Sequence, residues 1–252
     1  MSDDGEALPL ESGGPPPDSL AARIEAAFLG ALAGERAAQA PSAAGDLLEV
    51  ADSIASMGGF DAEDLRRRGL SGASQAGPAG LLLRAVPFGL LSPLDRPRLR
   101  RDAYRVATLA AADEATAIAA IAVALVAADL TRFDAVTTGV RVRQSLLEDA
   151  PLSLLEALRA DGGPLPERDD DAVAALRIAL AGLSGADGIN AAIAAVSLPG
   201  RRAALSLAGA LAGAHLGGAG VDDTLRSSLP HAQRASAIAV QVSARAAEIE
   251  AG

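Results

Sequence analysis

The chemistry-bearing residues to weigh first are two adjacent arginines in SLPGRRAALSLAGALAGAHLG, Ser197 to Gly217. Pro199 and Gly200 stop the preceding segment, and the composition from Arg202 onward is that of a helix, so Arg201 and Arg202 stand at a helix start. Free N–H groups and a partial positive charge already occupy that end, so a negative partner is expected nearby. Two kinds of partner suit it. The guanidinium forks, beside Gly200, would meet phosphate groups of a ligand, or they would pair with carboxylates of the same chain, with Glu35 and Asp46 as candidates.

A third arginine is conspicuous by isolation. Arg84 is the only charge in LLLRAVPFGLL, Leu81 to Leu91, and a cation in such a run needs a carboxylate, a row of carbonyls or a ligand phosphate. Other side chains carry less. His215 and His231 sit where packing or capping explains them, and Ser71, Ser74 and Ser184 follow no strand, so no nucleophile elbow forms. Three aspartates in DGGPLPERDDD, Asp161 to Asp171, point in different directions as consecutive residues must; they read as a solvated connector that caps the next helix. No catalytic residue and no metal-ligand set is assigned.

The elements that must position these groups are helices. Half of the 252 residues are apolar, only 2% are aromatic, and β-branched residues never alternate. Helices are expected over Leu20 to Ala38, Ser42 to Met57, Asp61 to Arg68, Arg98 to Ala112, Ala115 to Leu130, Ala172 to Leu183, Ile189 to Val196, the opening stretch, and Pro230 to Ala251, with one or two more in Asp134 to Ala160. Gly69 to Gly80 reads as a loop, and Pro87 with Gly89 prevents one continuous helix through Leu81 to Leu91. Ala115 to Leu130, apolar on every side, should be central. Gly209, Gly213 and Gly217, four apart, should bare one helix face for close packing against a neighbour.

Charge and composition exclude several classes. A net charge of −10 without a basic patch argues against nucleic acid. Without cysteine there are no disulfides or thiolate metal sites. Arginine supplies every fixed positive charge, as a GC-rich genome favours. The acidic, Pro/Gly-rich residues 1–19 read as a disordered tail, not a secretory signal, before one domain over residues 20–252. The longest apolar runs fall short of the roughly 20 residues that span a bilayer, so the expected location is the cytoplasm.

From Arg23 to Leu229 the chain resembles the ADP-ribosylglycohydrolase family, which includes the dinitrogenase reductase-activating glycohydrolases. RIEAAFLGALAGERAA at Arg23 to Ala38 is similar to the family's opening helix, with Gly30 and Gly34 matching and Glu35 where aspartate is usual. DLLEVADSIASMGGFDAEDLRRR, Asp46 to Arg68, resembles the helix after its first metal motif; AGLLLRAVPFGLL, Ala79 to Leu91, is similar to NGSLMRAAPLGLL and keeps Arg84, Pro87 and Gly89. ALSLAGALAGAHLG, Ala204 to Gly217, looks like the last signature helix.

That resemblance implies an all-α, single-domain orthogonal helical bundle and a magnesium-dependent hydrolase ancestry. The departures fall on the metal-holding residues. PSAAG at Pro41 to Gly45 replaces Thr-Asp-Asp-Thr, PGRRA at Pro199 to Ala203 replaces Gly-Asp-x-Asp-Thr, and Ala110-Ala111 stand for Thr-His. VDDT at Val221 to Thr224 mimics the acidic motif but follows the signature helix and is read as coincidence. Magnesium requires hard anionic oxygens, and two positive charges about 4 Å apart repel by about 4 kcal/mol at an effective dielectric near 20. The expectation is therefore a pseudoenzyme with no Mg²⁺ and no other cofactor. It would bind an ADP-ribose- or nucleotide-like ligand through Arg201, Arg202, Arg84, Gly200 and Glu35, or a protein partner. The competing readings are a hydrolase with a rearranged site using Glu35, Asp46 or Asp222-Asp223, and a purely structural protein.

Overall fold

The computed structural model describes residues 19–39, 44–159 and 164–251, and among these the chain is helix and connecting turn, with no strand. The expected tail lies outside the described residues except for Ser19, whose hydroxyl accepts from the Ala22 N–H and caps the first helix. In chain order the helices are α1 (Leu20–Ala38), α2 (Ala44–Met57), α3 (Ala62–Arg67), α4 (Gly77–Leu81), a 3-10 turn (Leu82–Ala85), α5 (Val86–Leu91), α6 (Arg96–Leu109), α7 (Glu114–Leu130), α8 (Ala135–Ser145), α9 (Leu152–Ala157), α10 (Ala172–Gly182), α11 (Ile189–Val196), α12 (Arg202–Leu216), a second 3-10 turn (Gly217–Gly220), α13 (Asp223–Ser228) and α14 (Ala232–Ala251).

Aspartate starts many of them. Asp61, Asp95, Asp113, Asp134, Asp171 and Asp222 each accept a backbone N–H three residues on, satisfying one orphan donor of the helix they precede. Asp222 in VDDT is one of these caps, which gives the acidic mimic a structural job. The helix α13 that it opens was not foreseen.

The tightest packing joins α1 to α12. A Cβ built on Gly30 would stand 2.0 Å from the Gly209 carbonyl oxygen, one on Gly34 2.2 Å from that of Leu205, and one on Gly213 2.1 Å from that of Ala26. As the number rises by four on one helix it falls by four on the other, so the helices run antiparallel with their backbones in contact. Gly217 does not belong to this seam. It ends α12 at φ +61, a conformation that favours glycine. An alanine-rich core gains little apolar area per residue, and near contact of helix backbones supplies the dispersion that larger side chains would otherwise give.

Helix α7 is buried along almost its whole length and is covered by α5, α6, α8, α10 and α12. Gly89 lets α5 approach it, since a Cβ there would lie 2.2 Å from the Ala124 carbonyl oxygen. The expected break around Pro87 is milder than predicted. Pro87 lies in the first turn of α5, where its missing N–H costs nothing, and Gly77–Leu91 runs on as three short helical pieces, the first of which takes in residues 77–80 of the stretch expected to be loop. Helix α14 closes the bundle against α1 and α2.

Candidate functional site

At the start of α12 the local conflict predicted for a double arginine is resolved by chain lying far away in sequence. Arg201, only 5% exposed, spreads its guanidinium over three carbonyl oxygens: Nη2 to Pro166 at 2.5 Å, Nε to Glu167 at 3.3 Å and Nη1 to Val196 at 3.4 Å. Asp169 supplies the negative partner. Its Oδ2 accepts the Ala204 N–H at 2.8 Å, capping α12 from 35 residues upstream, while its own N–H donates to the Gly200 carbonyl at 3.3 Å. Gly200 adopts φ +91, which favours glycine, and a Cβ there would meet the Arg168 side chain at 3.3 Å. Arg202, by contrast, is exposed.

The three aspartates of the connector thus take three directions. Asp169 caps α12, Asp170 pairs with Arg168 at 3.0 Å, and Asp171 caps α10 by accepting the Ala174 N–H at 2.8 Å. The first part of the connector, residues 161–163, lies outside the described residues. Sequence reasoning anticipated the cap on the next helix but missed the one on α12, because nothing local links Asp169 to Ala204.

Arg84 is 2% exposed and fully engaged. Its Nη2 and Nε reach Asp46 Oδ2 at 2.6 and 3.0 Å, and Nη1 donates to the carbonyls of Leu70 and Gly72 at 2.8 and 3.1 Å. Both structural partners foreseen for it, a carboxylate and a row of carbonyls, are present together. Asp46 stands in the first turn of α2, where a negative charge is also favoured by the helix end. Glu35 lies half-buried on α1, one residue beyond the Gly34 contact with α12.

Among the sequence-nominated residues, then, Arg201 and Gly200 share the start of α12 with Asp169, while Arg84 and Asp46 form a separate buried pair between the 3-10 turn and α2. The histidines take backbone roles. The His215 carbonyl accepts from Arg23 Nη1, and His231 sits at φ +63 with its carbonyl accepting from the Ala235 N–H at 2.9 Å as α14 begins.

Three further charge clusters hold the bundle together. Asp129, wholly buried in α7, accepts from Arg96 Nη2 at 2.6 and 2.8 Å and from Arg141 Nε at 3.1 Å. Its signal in the sequence is a single carboxylate near the end of an otherwise apolar helix. Arg68 joins α2 to α3 through Asp64 at 2.7 Å, Asp52 at 2.5 Å and Glu49 at 3.2 Å; the hydrogen bond from Arg68 holds the Asp64 carboxyl below the usual range. Glu25 ties α1 to α13 and α14. Burial pushes its pKa up, but the hydrogen bonds from Arg226 and Ser236 and the Arg226 charge outweigh burial and hold it low.

Among the described residues two concave surfaces stand out. One, of about 890 Å³, is lined by Asp223, Arg226, His231 and Arg234 at the α13–α14 turn. The other, of about 410 Å³, lies among the starts of α7 and α10, helix α9 and Pro166.

The pair of divalent cations implied by the family resemblance does not fit these residues. Where acidic oxygens would be needed before α12 stand Gly200, Arg201, Arg202 and Ala203, and the nearby Asp169 oxygen is already held by a backbone N–H. Before α2 the sequence offers Pro41, Ser42 and Ala43, and Asp46 beyond them is bound by Arg84. Among the described residues no group of three or more His, Asp or Glu side chains converges as a metal site would require.

No protein-family model and no curated protein matches the sequence. The backbone is similar to that of a solved chain described as an "ADP-ribosylglycohydrolase-related protein complex", with a TM-score of 0.78, at 18% identity, covering 90% of this chain and 99% of the other. The all-helical bundle assembled from these fourteen described helices therefore has the ADP-ribosylglycohydrolase-related fold.

Proposed function

We propose that this chain is a pseudoenzyme: the ADP-ribosylglycohydrolase-related scaffold kept for binding, without metal-dependent hydrolysis. One observation carries the reading. The groups at the two helix starts that correspond to the family's metal motifs are consumed by the protein itself, Arg201 by three carbonyls, Asp169 by the α12 N-terminus and Asp46 by Arg84. A carboxylate oxygen that already accepts a charge-assisted or capping hydrogen bond is a poor ligand for a cation that must displace that bond. With guanidinium groups in place of ligand oxygens, a divalent ion would also meet like charge.

The ligand class that supports best is an ADP-ribose- or nucleotide-like molecule, met at the mouth of α12 by the exposed Arg202 guanidinium, whose planar fork suits phosphate. Arg201 acts beside it as a buried brace, and Arg84 braces the separate contact with Asp46. The setting we propose is cytoplasmic.

Two measurements test this. Incubation at high enzyme concentration with ADP-ribosylated protein and Mg²⁺ or Mn²⁺ should release no ADP-ribose; metal-dependent release overturns the pseudoenzyme. Calorimetric titration with ADP-ribose should give a binding isotherm weakened by Arg202→Ala, a variant of an exposed residue that leaves the melting temperature unchanged. Absence of heat removes the nucleotide ligand and moves the role to protein recognition, which pull-down with and without residues Met1 to Ser19 then examines.

A further inference from the structure

The 410 Å³ cavity among α7, α9 and α10 contains an arginine that the fold does not use. Arg177, on the second turn of α10, has its Nη2 buried without a hydrogen-bond partner, and among the described residues it forms no ion pair. Arg98 Nε and Arg143 Nε are also buried without a partner, and each such nitrogen loses water and gains nothing in return; Arg177 is the one of the three that lines this cavity. The other arginines discussed above, Arg68, Arg84, Arg96, Arg141, Arg201 and Arg226, all have carboxylate or carbonyl partners. A long, flexible side chain held in this state gains by turning into the cavity whenever an acceptor arrives there.

The acceptor's chemistry is restricted by its surroundings. Three carboxylates line the same cavity: Asp113, Asp171 and Glu156. Asp113 and Asp171 face the helix ends they cap, accepting from Thr116 and Ala174 at 2.8 Å each, and the bonds from Thr116 keep Asp113 ionised. Glu156 is exposed and forms no ion pair among the described residues. Three negative charges against one positive repel a simple anion, so an acid group can reach Arg177 only if it carries its own positive charge.

We infer that this cavity is a binding site for a small zwitterion, a free basic amino acid, whose carboxylate is taken by Arg177 and whose ammonium nitrogen is taken by Glu156, with Asp113 and Asp171 adding attraction for a second cationic nitrogen. Its volume is at the lower end of the range for small-molecule pockets. One wall is Pro166, whose carbonyl Arg201 holds at 2.5 Å, so the brace at the start of α12 also shapes this cavity. The inference does not rest on the nucleotide reading above.

Calorimetric titration of the full chain with L-lysine, with acetate and putrescine as separate halves of that chemistry, tests it. L-lysine should bind roughly tenfold or more tightly than either half. Arg177→Gln and Glu156→Gln should each weaken lysine binding by a similar factor without lowering the melting temperature, since neither side chain bonds to the fold. Absence of lysine binding, lysine binding unchanged in both variants, or acetate binding as tightly as lysine would each overturn the assignment.

Discussion

The middle and the beginning of α12 meet the rest of the protein in opposite ways. In the middle, Gly209 and Gly213 present bare backbone to α1, where an added Cβ would stand 2.0 and 2.1 Å from the Gly30 and Ala26 carbonyl oxygens. At the beginning, Arg201 and Asp169 satisfy the helix end with side chains and carbonyls drawn from residues 166–169 and 196. The first region tolerates no added atom. The second tolerates change in proportion to the hydrogen bonds removed. A helix can thus be fixed in place by steric exclusion along its length and by polar satisfaction at its tip, and in this chain the tip is where the family resemblance would have placed metal chemistry.

Substitution in the seam should have the largest effect. Gly209→Val places branched carbons where the Gly30 carbonyl oxygen already lies 2.0 Å from a single Cβ, and overpacking of that severity is expected to cost more than about 3 kcal/mol. Urea or thermal unfolding measures it. Gly45→Ala, where nothing lies within 4 Å, is the control and should be neutral or mildly stabilising. Equal behaviour of the two would break the comparison.

Next comes Arg84→Met. Removing the guanidinium leaves Asp46 without its partner and the Leu70 and Gly72 carbonyls without their donor, a loss of roughly 3 kcal/mol read in the same unfolding experiment. Arg201→Ala should fall just below it, at about 2 kcal/mol, because neutral carbonyls rather than a carboxylate lose their donor. An Arg201→Ala variant as stable as the parent would show that the α12 tip is not braced as described.

Asp169→Ala removes one N-cap and should cost about 1 kcal/mol, and Asp169→Asn should recover most of it. The smallest effect concerns acid. Glu25 and Asp64 have pKa values held below their ordinary 4.5 and 3.8, so each contributes stability that is complete above those values and is lost as pH falls through the lowered ones. Arg68→Met removes the hydrogen bond that lowers Asp64. The pH dependence of its melting temperature below pH 4 should therefore be shallower than that of the parent.

Much of the architecture was legible in the residue pattern. Helix starts at Asp61 and Asp171 followed from capping chemistry, the central place of α7 from its apolar circumference, and the glycine face of α12 from a spacing of four. Gly217 was misplaced on that face because periodicity alone does not show where a helix stops. The short helix α13 was missed for a related reason: VDDT reads equally as an acidic motif or as a cap. Arg84 was assigned the right kinds of partner, yet among the polar residues it could have taken, only folding selected Asp46.

The candidate site was less legible. A negative partner for the double arginine was required by electrostatics, and Glu35 and Asp46 were the candidates; the structure instead brings Asp169 to the helix end and turns Arg201 toward carbonyls. Arg177 carries no sequence signal at all, being one more arginine on an amphipathic helix.

What the sequence determined by itself is the helical class, the order of the long helices and the absence of acidic residues from PSAAG and PGRRA, the segments where the resembled family holds its metals. Those properties depend on residue type and on neighbours within a turn or two. Only the tertiary structure decided which groups answer each buried charge, because a guanidinium or carboxylate is satisfied by whatever lies within about 3 Å of it, and that distance is set by the packing of helices from opposite ends of the chain.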